Sequence, residues 1–196
     1  MVVAMSLVSR ARTVLTQPGE LLPAVRGMLG AGRQATSVAS PPRIRGKVRI
    51  TNSGHLHIGR ALTVDGMPLP TKIEVRPGAE LRIGTGCFVN YGVDIVAGSA
   101  ITLGDSVLIG PLVSIVDDDM HQIEPSRERR VAPITIADDV WLGRGVIVLP
   151  GASIGEHSVI AAGSVVRGEI PARVVAAGSP ARVLRELDIP DGWRRI

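Results

Sequence analysis

Residues 136–166 read IADDVW-LGRGVI-VLPGAS-IGEHSV-IAAGSV-V, and this stretch decides the fold. An aliphatic residue opens each group of six: Ile136, Leu142, Val148, Ile154, Ile160 and Val166. The next residue is usually small (Ala137, Gly143, Gly155, Ala161). Four positions after each aliphatic stands another compact residue: Val140, Val146, Ala152, Ser158 and Ser164. A six-residue period matches neither the turn of an α-helix nor the alternation of one long strand. It fits short flat strands joined by turns, three to a coil of about eighteen residues, stacked as a solenoid. The aliphatic side chain then points into a narrow prism, and the compact one sits at a corner, where bulk would strike the coil above.

Outward from this stretch the beat continues upstream. Ile83-Gly84 with Cys87, Val89-Asn90 with Val93, and Ile95 with Ser99 form one run. After a two-residue slip come Leu103-Gly104 with Val107, Ile109-Gly110 with Val113, and Ile115. The rhythm is looser around Ile44, Ile50, Ile58-Gly59 and Val64. The expectation is an all-β parallel β-helix over residues 43–182. Residues 1–42 carry two helical apolar pieces, Leu7, Val8, Val14 and Leu15, then Leu21, Leu22, Val25 and Leu29, separated at Pro18-Gly19. With a linker from Ser37 to Pro42 they are expected to cap the first coil, whose strand edges would otherwise be open. A weak peripheral membrane contact is the second reading of this segment. Residues 183–196 are expected to form a brief helix stopped at Pro190-Asp191-Gly192, capping the far end.

Composition narrows the classes. Hydrophobic residues make up 45% of the 196, yet only 2% are aromatic: Phe88, Tyr91, Trp141 and Trp193. A core without aromatic bulk must be filled by Val, Ile, Leu and Ala, as a narrow prism requires. The one cysteine, Cys87, excludes an intrachain disulfide and fits a reducing compartment. No basic residue precedes the apolar start, and no apolar run reaches membrane-spanning length, so a cytoplasmic protein is expected. The net charge is +4, carried almost wholly by scattered arginines; Lys47 and Lys72 are the only lysines. Without interleaved aromatics or zinc spacing, this charge suits an anionic small ligand better than nucleic acid.

The beat breaks once in a way a solenoid does not need. Between Ile115 and Ile136 lies a polar stretch, Asp117-Asp118-Asp119-Met120-His121-Gln122 followed by Arg127-Glu128-Arg129-Arg130. It reads as a loop, 117–132, extruded from a rigid scaffold, and such loops are disproportionately functional. A carboxylate beside His121 can fix its tautomer and favour proton uptake near neutral pH. From the residues alone, a solvated acidic turn with an incidental histidine stands equally well. Cys87 falls on a corner position and reads as a packed small residue. His157, His55 and His57 read as surface histidines.

The run Asp117 to Gln122, then Pro133-Ile134, Val140 to Gly143, Gly151, Ile154-Gly155, Val159-Ile160, Ala162 to Val166, Ile170-Pro171 and Ala177 to Arg182 resembles the hexapeptide-repeat acetyltransferases. The similarity is closest to their maltose, galactoside and polysaccharide O-acetyltransferase branch. It covers residues 80–186 closely and extends loosely back to 44. It implies a left-handed coil, against the usual right-handed crossover. It also implies acetyl-CoA as co-substrate, no metal, and a homotrimer whose sites lie between subunits.

By the same resemblance His121 is the general base, with Asp117 or Asp119 orienting it. The backbone N–H of Arg144 holds the oxyanion, and Asn90 binds the acceptor. Gly143, Ala162, Gly163, Arg182 and Arg185 contact the coenzyme. Each has a structural alternative: Asn90 as a turn residue, the small residues as corner residues, the arginines as solvated surface. Two positions depart from the family pattern, Arg144 replacing a small residue and Gly168 a basic one. A γ-type carbonic anhydrase shares the solenoid but needs three converging histidines. A non-catalytic scaffold would leave the loop histidine without a role, and the long helical N-terminal domain expected of a serine acetyltransferase is missing.

Overall fold

The computed structural model describes residues 30–190 and 192–195, together with Leu22, Pro23, Val25 and Gly27. It is a parallel β-solenoid with three flat faces. The first face stacks seven strands in chain order: β1 (Ser37–Val38), β3 (His55–Ile58), β5 (Glu80–Ile83), β8 (Ala100–Leu103), β11 (Ile134–Ile136), β14 (Ser153–Ile154) and β17 (Glu169–Ile170). The second begins with the leading halves of β2 (Arg43–Asn52) and β4 (Thr63–Val75). It continues through β6 (Phe88–Val89), β9 (Leu108–Ile109), β12 (Trp141–Leu142), β15 (Val159–Ile160) and β18 (Val174–Gly178). The third uses the trailing halves of β2 and β4, then β7 (Asp94–Ala97), β10 (Ser114–Val116), β13 (Ile147–Val148) and β16 (Val165–Val166). Because β2 and β4 run through a corner, the second and third faces form one twelve-stranded sheet.

The register puts the sixth-position aliphatics directly above one another. Leu103, Ile136, Ile154 and Ile170 form a column on the first face. Ile109, Leu142 and Ile160 form one on the second, and Ile115, Val148 and Val166 one on the third. All are buried, as are Val140, Val146, Ala152, Ser158 and Ser164 at the corners. The two corner serines are satisfied within the stack: Ser158 Oγ donates to Pro171 O at 2.7 Å, and Ser164 Oγ accepts from Gly178 N at 3.1 Å. A side chain at Gly143 would meet backbone, with its Cβ 2.7 Å from Ala162 N and 2.9 Å from Ile160 O. That position is therefore glycine because the next coil passes too close for anything larger.

The early coils keep the columns but not the six-residue beat. In β4, Met67 to Pro70 bulge out at the corner opposite Lys47, between the pairs Gly46–Gly66 and Val48–Thr71. The slip near residue 96 arises because β7 is four residues long and buries Ile95, Val96 and Ala97.

The flanks differ from expectation. Of the N-terminal pieces, Leu22 and Val25 are helical and exposed, and α1 (Ala31–Gln34) follows, with Ala31 buried against the first coil. Leu7, Val8, Val14, Leu15, Leu21 and Leu29 lie outside the described residues. The solenoid's first strand, β1, already occupies part of the expected linker. No helix forms over 183–190. Instead β19 (Ala181–Glu186) pairs antiparallel with β18, closing the open edge of the second face. The unpaired N–H and C=O groups of β18 outweigh the local helical preference. Beyond it, residues 192–195 turn back along the corner between the first and second faces, where Arg195 N donates to Asp139 Oδ1 at 2.9 Å and Arg195 Nη2 to His157 O at 3.2 Å.

Leu142 is fully buried in mid-column. Leu142→Ala is expected to cost about 2–5 kcal/mol, measured as a lower urea midpoint with an unchanged slope.

Candidate active site

The extruded loop is tied to the prism at its base and free at its tip. It leaves the corner between the third and first faces, with Asp117 and Asp118 buried and residues 121–130 exposed. Asp117 does not face His121. Its carboxylate accepts from Gly98 N at 2.5 Å and Ser99 N at 2.9 Å, holding the loop to the coil below. Asp118 Oδ2 accepts from Arg76 Nη1 at 3.1 Å, and its Oδ1 accepts from Met120 N at 2.9 Å and lies 3.5 Å from Arg129 Nε. Two antiparallel bridges, Asp118–Val131 and Glu124–Arg127, close the loop on itself.

His121 is exposed, its N–H donating to Asp119 O at 2.7 Å. Its ring has no hydrogen-bond partner among the described residues. With Asp119 it lines a cleft of about 600 Å³ against Leu149, Pro150 and Arg167, overhung by Arg127, Arg129 and Arg130 of the same loop. The four arginines are contacts that the sequence reading missed. Arg167 reaches the cleft only because Val166 stacks above Val148 at this corner.

The other candidates lie along a different edge, between the second and third faces. There Asn90 follows the end of β6, and two coils on Arg144 and then Ala162 stand at equivalent corner positions after β12 and β15. Asn90 Oδ1 accepts from Tyr91 N at 2.9 Å, and Asn90 O from Thr71 Oγ1 at 3.0 Å. The N–H groups of Arg144 and Ala162 meet no acceptor among the described residues, while their neighbours Gly145 and Gly163 bond to the preceding coil through Pro111 O and Arg144 O. A Cβ on Gly163 would touch nothing, so this edge is open. Arg144 Nη1 donates to Tyr91 Oη at 3.1 Å. Arg182, paired with Ala177, and Arg185, paired with Val175, are exposed on β19 at the end of the second face. None of these residues lines the cleft that contains His121.

Cys87, His57 and His157 have partners within the scaffold. Cys87 is buried, its thiol donating to Gly104 O at 3.1 Å, and burial pushes its pKa up to about 11. His57 sits between Ser37 Oγ at 2.8 Å and Glu80 Oε1 at 3.3 Å. His157 is half-buried, its ring 6.1 Å from that of Trp193, and so is less exposed than the sequence suggested. Among the described residues no three His, Cys, Asp or Glu side chains converge as a metal site would require, and no helix is long and apolar enough to cross a membrane.

Residues 133–168 match the family model described as bacterial transferase hexapeptide (six repeats). WbbJ of Escherichia coli (strain K12), assigned provisionally to lipopolysaccharide biosynthesis as an O-acetyl transferase, is 31% identical over 155 residues, covering 73% of this chain and 78% of that protein. The chain belongs to the hexapeptide-repeat acetyltransferase family. Within it, the galactoside O-acetyltransferase of Escherichia coli (strain K12) is 42% identical over 117 residues, 58% of either chain, so less than two thirds of that relative is spanned. A hexapeptide-repeat acetyltransferase from Vibrio cholerae, solved with acetyl coenzyme A, superposes with a TM-score of 0.54 at 33% identity over 72% of both chains.

Two outcomes are expected from these contacts. At pH 8 the Cys87 thiol stays protonated and inert toward a disulfide reagent until denaturant exposes it; prompt labelling of the native protein would contradict its burial. Asp117→Ala leaves Gly98 N and Ser99 N unpaired. Tryptic cleavage at Arg127, Arg129 and Arg130 should then accelerate severalfold while the solenoid's circular dichroism is retained.

Proposed function

We propose that this chain moves an acetyl group from acetyl-CoA to a hydroxyl of a saccharide, in sites shared between copies of a homotrimer. The observation that carries this reading is the division of the chemistry between two edges. A free imidazole stands on a loop at one corner, and a row of unpaired backbone donors with Asn90 stands at another. A second copy, laid edge to edge, supplies what each lacks.

In that arrangement the acceptor oxygen attacks the thioester carbon as its proton passes to His121. The tetrahedral oxyanion accepts from the Arg144 N–H, which has no other partner to give up. Collapse expels the CoA sulfur, which takes the proton back from the imidazolium. The N–H of Ala162 and the bare face of Gly163 leave room for the pantetheine arm, and Arg182 and Arg185 suit the nucleotide phosphates. Asp119, which lines the cleft with the imidazole, is the carboxylate left to orient it. Asp117 keeps the loop in place. No step calls for a metal. Family membership and the acetyl-CoA complex of the Vibrio cholerae relative support the reading, as do the sugar-directed names of the two Escherichia coli proteins.

His121→Ala should keep the fold and lower acceptor-dependent release of CoA thiol by about 10²–10⁴-fold. Turnover near that of the unmodified protein would remove His121 as the base. Light scattering should give three times the 20.6 kDa chain mass, and a monomer would count against a shared site.

A further inference from the structure

We infer that the acceptor carries a negative charge, a carboxylate or phosphate near the acetylated hydroxyl, and that the Arg144 side chain selects it. This rests on the acetyl-transfer reading above. Arg144 is exposed, and its bond to Tyr91 Oη draws the side chain two coils back along the edge, away from Ala162 and Gly163 and toward Asn90. The guanidinium therefore overhangs the acceptor side of the edge rather than the coenzyme side. Nε and Nη2 have no hydrogen-bond partner among the described residues, and no carboxylate there pairs with this arginine.

The surroundings make that lack of a counter-ion specific. Along this edge the corners 90–92, 110–112, 143–145, 161–163 and 178–180 contain no Asp or Glu, and the acid of the earlier corner, Asp65, stands in register with Asn90, three coils before Arg144. The edge between the first and second faces is the opposite, with Asp105, Asp138, Asp139 and Glu156. Arginines there are matched: Arg194 meets Asp139 and Asp138, and Arg173 lies 3.8 Å from Glu156. Among the described residues no acid of this edge pairs with Arg144. A planar donor fork, steadied through one nitrogen by a phenol and open through the others, is suited to a carboxylate or phosphate. Holding it in advance lowers the ordering cost when the anion arrives.

The test measures CoA thiol release by the full chain with matched acceptors: methyl galactoside and methyl glucoside, the corresponding uronates, and the corresponding sugar 1-phosphates. One charged class should exceed the neutral glycosides in kcat/KM by about 10-fold or more, as expected for a charge-assisted hydrogen bond. The uronate and 1-phosphate arms tell carboxylate from phosphate. Arg144→Ala should abolish that preference through the acceptor KM, Arg144→Lys should restore part of it, and Tyr91→Phe should weaken it. Equal losses for neutral and charged acceptors would overturn the inference. So would a rise in the acetyl-CoA KM instead, which points to a coenzyme phosphate, or dissociation of the oligomer, which points to a carboxylate of a second copy. Absence of thiol release with every acceptor would overturn the acetyl-transfer reading, and this inference with it.

Discussion

The structure depends on one constraint: the inward aliphatic side chains of each coil must stand above their counterparts in the coil below. Backbone hydrogen bonds between coils run only when the strands keep this register. A residue added within a strand would turn its inward set outward. The chain places its two outgrowths at corners, Met67 to Pro70 and residues 117–132. The virtual absence of aromatic side chains follows from the same restriction, since a ring would span the space allotted to two columns.

The later coils were legible because nothing disturbs their beat. From Ile136 to Val166 each sixth residue is the column residue, and the pairings agree position by position. The early coils were blurred because β4 carries its corner bulge and β7 is longer than two residues, so register survives there while spacing does not. The C-terminal helix was misread for a different reason. Ala181 to Glu186 has helix-forming residues, but the bare edge of β18 is a stronger determinant than propensity, and only coil stacking reveals that edge. In the candidate site, His121 and its loop could be found from a broken rhythm. The task of Asp117 could not, because its partners, Gly98 N and Ser99 N, are two backbone groups distant in sequence. Tyr91 was hidden likewise, since its link to Arg144 spans two coils.

Charge is sorted by edge. Carboxylates gather between the first and second faces, where Asp138 Oδ1 accepts from Asp105 N at 2.8 Å, Asp105 Oδ1 accepts from Thr85 N at 2.7 Å, and the C-terminal arginines complete the set. The corners between the second and third faces carry, among the described residues, a single acid, Asp65, three coils from Arg144. The extruded loop, rich in both signs, leaves from the third edge and is pinned by acids that are already paired. A prism so divided presents different electrical surfaces in three directions, which favours some approaches by a second copy over others.

The bulge at Met67 to Pro70 has one further implication. It lies on the same edge as Asn90, with Leu69 Cβ and Leu112 both within reach of a side chain placed at Gly92. Met67 and Leu69 are exposed there, yet the strand on either side pairs as if they were absent. Lengthening or trimming such an outgrowth alters the rim of the proposed acceptor edge while the scaffold beneath goes on unaware of it. A lineage of these proteins can thus reshape this edge by editing hinges between rungs, with little penalty to folding.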